Sequence, residues 1–238
     1  MKLLATGING FDEMLNGGIQ EGRVVLVCGG PGAGKTILTV QCMVQALSRG
    51  EPCIFATLEE PLKNIKENVL NFGWNLDEWE KLGLLKTLDL FMIPGASIVN
   101  ARDRETSDTE LFTIKTIVDI AKTQRAKWVF IDPLTSLVIH EPRSGRKRFV
   151  IGELFESLRK LGCSSIVTSE AAPQEGDFYM EQFLADGVIL LSKDLKDYNL
   201  IKTIRIDKMR GAQFDEQPRR YTITTRGFRV FNTEPVLI

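Results

Sequence analysis

The succession from Arg23 to Leu47 constrains this chain more than any other stretch. Arg23-Val24-Val25-Leu26-Val27-Cys28 is a short apolar run of strand type, and Ile37–Leu47 is apolar enough to form a largely buried helix. Between them, Gly29-Gly30-Pro31-Gly32-Ala33-Gly34-Lys35-Thr36 carries the spacing G-x-x-x-x-G-K-T. Strand, glycine loop and helix form the setting in which that spacing wraps a phosphate chain. Glycines let successive backbone N–H groups turn inward onto phosphate oxygens, where a Cβ would obstruct them. A helix opening near Lys35 adds the positive end of its dipole. Lys35 is the residue type that reaches the outer phosphates, and the Thr36 hydroxyl is suited to ligate Mg2+. The expected nucleoside triphosphate contacts are therefore Gly30, Pro31, Gly32, Ala33, Gly34, Lys35 and Thr36.

Elsewhere strand and helix patterns alternate, which predicts an α/β fold: a mainly parallel sheet flanked by helices. Strands are expected at Pro52–Leu58, Leu84–Leu88, Trp128–Asp132 and Ser164–Ser169, and helices at Pro61–Phe72, Leu76–Leu82 and about Lys147–Leu161. Residues 91–107 read as a loop, and Ser107 with Glu110 forms a capping box that opens a further helix. From Gly187 onward the helical patterns stop. Gly187–Ser192, Leu200–Asp207, Arg220–Thr224 and Phe228–Phe231 predict antiparallel hairpins closing the sheet. No repeat or linker divides residues 1–238, so one domain is expected.

A triphosphate site needs a second acid beside the metal. Trp128-Val129-Phe130-Ile131-Asp132 puts a carboxylate at the C-terminal end of a buried strand, the edge where open parallel sheets bind ligands. Asp132 is expected to hold Mg2+, directly or through water. Hydrolysis also needs a group that deprotonates or orients water. Thr57-Leu58-Glu59-Glu60-Pro61 sets two carboxylates after another strand. Glu59 is the first choice for that base and Glu60 the second. The bland alternative is that both serve the helix that Pro61 begins.

These segments, in this order, resemble the RecA-type P-loop ATPases, and among them a single KaiC-like domain of the archaeal and bacterial kind. The resemblance covers nearly the whole chain. It runs from Thr6-Gly7-Ile8-Asn9-Gly10-Phe11-Asp12 through the glycine loop, Leu58-Glu59-Glu60-Pro61, Asn71-Phe72-Gly73-Trp74 and Ile131-Asp132. It continues to Thr168-Ser169-Glu170, Ala185-Asp186-Gly187-Val188-Ile189 and Lys208-Met209-Arg210-Gly211. It implies rings, usually hexamers, with ATP held between neighbours. It also implies that Glu59-Glu60 supports hydrolysis and that Lys208 and Arg210 reach a neighbour's phosphates. Ser169 and Glu170 resemble the family's phosphate-sensing strand end. The two-domain clock protein of this family phosphorylates its own Ser and Thr just before the last parallel strand. Here that stretch reads Met180–Asp186, with Gln182 and Phe183 in place of hydroxyls, which weighs against autokinase activity.

The rival reading is a recombinase- or helicase-like ATPase acting on DNA, whose loops would be basic or aromatic. Arg143-Ser144-Gly145-Arg146-Lys147-Arg148 fits that description; a solvated helix start or a subunit contact is the plainer reading. From Ser164 to Ser192 there is no Lys or Arg, while Glu170, Glu175, Asp177, Glu181 and Asp186 repel a phosphate backbone. DNA is thus the less favoured partner. A net charge of −1 over 238 residues gives no general polyanion affinity. Cysteines 28, 42, 53 and 163 have no paired spacing and, with the single His140, form no zinc set. They read as small core residues of a reducing, cytoplasmic compartment. No stretch approaches the ~18 apolar residues of a membrane span.

Overall fold

The computed structural model describes residues 2–90, 109–139, 141–170, 179–196 and 198–235. The expected loop at 91–107, Ser107 of the capping box, His140, and Glu175 and Asp177 of the acidic stretch lie outside the described residues. A two-stranded ribbon of β1 (Leu3–Leu4) and β2 (Ile19–Gln20), with α1 (Phe11–Met14) between them, precedes the main body. The alternating part follows as β3 (Val24–Gly29), α2 (Lys35–Ser48), β4 (Cys53–Thr57), α3 (Leu62–Leu70), α4 (Leu76–Lys81) and β5 (Leu85–Asp89). Then come α5 (Thr109–Thr123), β6 (Trp128–Asp132), α6 (Thr135–Val138), α7 (Ser144–Leu161), β7 (Ser164–Ser169), α8 (Met180–Leu184) and β8 (Gly187–Lys196). The chain closes with β9 (Asn199–Met209), β10 (Arg219–Thr224) and β11 (Gly227–Pro235).

Nine strands form one sheet in the order β11-β10-β9-β8-β3-β7-β6-β4-β5. Pairings from β8 through β5 are parallel, and β8-β9, β9-β10 and β10-β11 are antiparallel. The expected parallel sheet with terminal hairpins is present. Every residue of β3, β4, β6 and β7 is buried, because helices cover both faces. Alternation splits those strands between two cores. Val25, Val27, Phe55 and Phe130 pack with α2, while Val24, Leu26, Ile54 and Val129 pack with α5 and α7.

Topology gathers the strand ends. From β3 the chain crosses beyond the positions of β7 and β6 to reach β4, so β3 lies at a reversal of winding where crevices form. Register brings Cys28 beside Ser169, Ile131 beside Val167, and Thr57 between Asp132 and Asp89. The last residues of the parallel strands thus share one edge. Some boundaries differ from expectation: β8 and β11 run on to Lys196 and Pro235, and α7 begins at Ser144 rather than near Lys147, so Arg146 to Arg148 lie within its opening turns.

Candidate active site

The glycine loop closes between the end of β3 and the start of α2. Gly32 (φ 70°) and Gly34 (φ 93°) adopt the left-handed backbone that glycine takes without strain. At Gly34 space is also restricted, since a Cβ would meet Ile223 Cδ1 at 2.4 Å. No side chain caps α2 and its first turn carries no acid, so the helix presents its N–H groups and dipole to the loop. Lys35 opens that helix. Its buried ammonium donates to the Gly29 carbonyl at 2.8 Å and the Gly30 carbonyl at 3.4 Å.

Thr36 and Asp132 meet as the spacing predicts. The Thr36 hydroxyl donates to Asp132 Oδ2 at 2.6 Å. The other carboxylate oxygen accepts from the Thr168 hydroxyl, one residue before the end of β7. Asp132 is 7% exposed, so these hydroxyls and its place at the edge orient it. One carboxylate beside one hydroxyl suits Mg2+, which takes few protein ligands and keeps water and phosphate oxygens. Among the described residues no cluster of three His, Cys, Asp or Glu side chains could cage a metal ion.

Glu59 and Glu60 follow β4 at the same edge. Glu59 is exposed, and its Oε2 accepts a long 3.4 Å bond from the Ser136 hydroxyl on α6. Glu60 is held more firmly. Thr57 Oγ1 donates to its carbonyl at 2.6 Å, and Asn68 Nδ2 reaches its carboxylate at 3.3 Å. Burial first, then the negative charges of Asp132 and Glu59, raise the Glu60 pKa above the ordinary carboxylate range. Ser169 lies beside Cys28 in the register, and its hydroxyl donates to Glu181 Oε1 at 3.1 Å. The Glu170 N–H donates to Thr135 Oγ1 at 3.2 Å.

Lys208 and Arg210 are not part of this cluster. In the register Lys208 pairs with Val188 and Met209 with Gly187, which lies beside Val25 at the start of β3. The glycine loop begins beside Leu191, four residues further along β8, or about 13 Å at ~3.3 Å per residue. The two cations therefore sit at the amino edge of the sheet, opposite their own loop.

Several residues that support the loop carry no motif. Tyr221 on β10 donates its hydroxyl to the Ala33 carbonyl at 2.5 Å and stacks on Phe228 of β11 at 4.3 Å. Burial pushes the Tyr221 phenol up to about 12. Gln41 of α2 bonds both the N–H and the carbonyl of Phe228, at 2.6 and 3.2 Å. Lys193 on β8 donates to the Pro31 carbonyl. Thr168 lies within a segment that already marks the resemblance, but Tyr221, Gln41 and Lys193 are legible only once the hairpins fold back.

Comparison with known proteins identifies the family and the fold. Residues 4–235 match the family described as "ATPase: KaiC". The chain belongs to that family. A UPF0273 protein of Methanopyrus kandleri is 37% identical over 236 residues, covering 95% of this chain and 91% of that one. The circadian clock protein KaiC3 of Synechocystis is 31% identical over 94% of this chain, which spans only 44% of the clock protein. A crystal structure of a KaiC-like protein from Pyrococcus horikoshii superposes with a TM-score of 0.83 at 29% identity, covering 97% of this chain and 99% of the other. The fold is thus the KaiC-like, RecA-type one, and the chain is a P-loop ATPase by family. Among the described residues no helix is long and apolar enough to cross a membrane.

Proposed function

We propose that this KaiC-family chain hydrolyses ATP in a Mg2+-dependent reaction, at sites shared between adjacent copies of a cytoplasmic ring. The sheet register carries the reading: the loop, Thr36, Asp132 and Glu59-Glu60 share one edge, and Lys208 and Arg210 occupy the other. Cations about 10 Å or more of strand away from their own loop are useful to a neighbour, not to themselves. In this reading loop N–H groups and Lys35 bind the phosphates, with Ser169 and Glu170 beside them at the strand end. Thr36 and Asp132 would hold the metal, which would supply positive charge against the phosphates. Glu59, with Glu60 as the alternative, accepts a proton as water oxygen bonds to the γ-phosphorus and the bond to the ADP oxygen breaks. A neighbour's Arg210 then donates to the oxygens gathering charge, and Lys208 adds positive charge behind it.

The assembly is read as a hexamer of regulatory or signalling type, acting through a protein partner. Autokinase chemistry is not assigned, since Gln182 and Phe183 stand in α8 where hydroxyls would be needed. Basic residues of α7 favour one second reading, DNA-directed work. Arg146 lies 5.4 Å over the exposed Phe149 ring, beside Lys147 and Arg148. Turnover stimulated by single-stranded DNA would support that reading, and indifference to DNA the first. A dilution series tests the shared site directly. Specific ATPase activity should fall as light scattering reports dissociation, and undiminished turnover by monomers would contradict it.

A further inference from the structure

Asp186 belongs to a segment that marks the family resemblance but takes no part in the phosphate site. It lies between α8 and β8 at the amino edge, and its side chain is 4% exposed. A carboxylate buried so deeply needs partners. Oδ2 accepts from the Val24 N–H at 3.1 Å and from Arg159 Nε at 3.0 Å. Oδ1 faces Arg23 Nη1 at 3.8 Å and Arg210 Nη1 at 3.9 Å. The main chain adds a tie, since the Arg210 N–H donates to the Asp186 carbonyl at 2.9 Å. Three guanidinium groups share one buried carboxylate.

The same acid is coupled to α8. Arg159 also donates through Nη2 to the Leu184 carbonyl at 2.6 Å, fastening the end of α8 to α7. That end grips both arm residues. Lys208 Nζ donates to the carbonyls of Gln182, Phe183 and Ala185 at 2.9, 3.1 and 2.7 Å. An ammonium has three N–H donors, and these carbonyls match all three. Arg210 Nη2 adds a 3.0 Å bond to the Phe183 carbonyl. Burial, then the Arg210 charge, lower the Lys208 pKa, and the Asp186 charge opposes them.

We propose that Asp186 is a positioning residue of the shared site: it holds Arg210, and through α8 Lys208, in the orientation that a neighbouring copy's triphosphate meets. This inference rests on the shared-site reading above. Asp186 touches no substrate; it acts through the cations around it. Without its charge three guanidinium groups and an ammonium repel one another. Arg210, at 52% exposure against 28% for Arg23 and for Arg159, is the one with room to swing away.

Asp186→Asn keeps an acceptor for Val24 and removes the charge. Turnover should fall roughly 10²-fold, as for a displaced catalytic group, with the nucleotide affinity of the folded protein close to wild type. Mixed with Lys35→Ala in rings that exchange subunits, it should regain activity, because its own loop is intact and the partner's arm is sound. Mixed with Arg210→Ala it should stay inactive, since neither protein offers a sound arm. Wild-type turnover, failure with Lys35→Ala, or recovery with Arg210→Ala would each overturn the assignment. Should Asp186→Asn not fold, Arg159→Gln releases the same carboxylate and the Leu184 carbonyl, and should give the same mixing pattern with a smaller loss. The Lys35→Ala and Arg210→Ala pair serves as control. If that pair stays inactive, the shared site falls and this inference with it; if only the Asp186→Asn pair does, the positioning role alone falls.

Discussion

The carboxyl edge and the amino edge of the parallel strands handle charge in opposite ways. At the carboxyl edge acids stand near one another with few cations: Asp132 is oriented by the hydroxyls of Thr36 and Thr168, and Glu60 feels both Asp132 and Glu59. At the amino edge one acid, Asp186, is enclosed by Arg23, Arg159 and Arg210, with Lys208 fixed by α8 carbonyls. An edge rich in acid needs a metal and outside cations before it can stabilise a triphosphate. An edge rich in cation has them to offer. In the shared-site reading proposed above, stacking one copy's amino edge on the next copy's carboxyl edge would complete both.

The largest expected effect is at the loop. Lys35→Ala should abolish hydrolysis, and phosphate release at the wild-type rate would remove the loop from the account. Arg210→Ala should cost about 10³-fold or more, the scale of an arginine finger, while fluorescent nucleotide still binds. Loss of binding alongside turnover would place Arg210 in its own site and erase the contrast between the edges.

For the two glutamates the expected loss is about 10²–10⁴-fold at whichever is the base. Glu59→Gln should show it with nucleotide binding intact, and a wild-type rate would move the role to Glu60. Glu60 also carries a pH signature. Its native pKa is raised, so the folded state holds this proton more tightly than the unfolded chain. Stability should therefore fall as pH rises from the ordinary value near ~4.3 through the raised one. Glu60→Gln should flatten that part of a denaturation-against-pH curve; an unchanged slope would contradict the assigned environment.

Smaller effects sharpen the picture. Tyr221→Phe removes the bond to the Ala33 carbonyl and should cost about 1 kcal/mol, or roughly 2–4 °C in Tm. An unchanged melting curve would mean the β10-β11 hairpin does not brace the loop. Neutralising Arg146, Lys147 and Arg148 should leave assembly intact by light scattering. Dissociation of the ring would make α7 a subunit contact.

Legibility follows the same division. Strands β3, β4 and β6 are plain in the sequence because burial on both faces demands nearly unbroken apolar runs. Thr36 and Asp132 follow, since one lies in the first turn and the other at the end of an element that the pattern already defines. Short helices such as α1, with 4 residues, and α8, with 5, hold too little periodicity to be seen. The start of α7 is obscured by Pro142, Ser144 and Gly145, which read as turn. Asp186 is harder still. Its partners come from β3, α7 and the residue after β9, so only the closed sheet brings them to one carboxylate. Lys208 and Arg210 are named by resemblance, but their distance from their own loop is a property of strand register alone.

One mixing experiment meets the central claim directly. Lys35→Ala has a sound arm and no phosphate grip; Arg210→Ala has the reverse. ATP turnover of each alone should be near background, and a mixture shown to exchange subunits should recover a substantial part of wild-type activity. A mixture that exchanges subunits and stays inactive would show that Arg210 serves its own chain or only its fold, and would contradict the shared site.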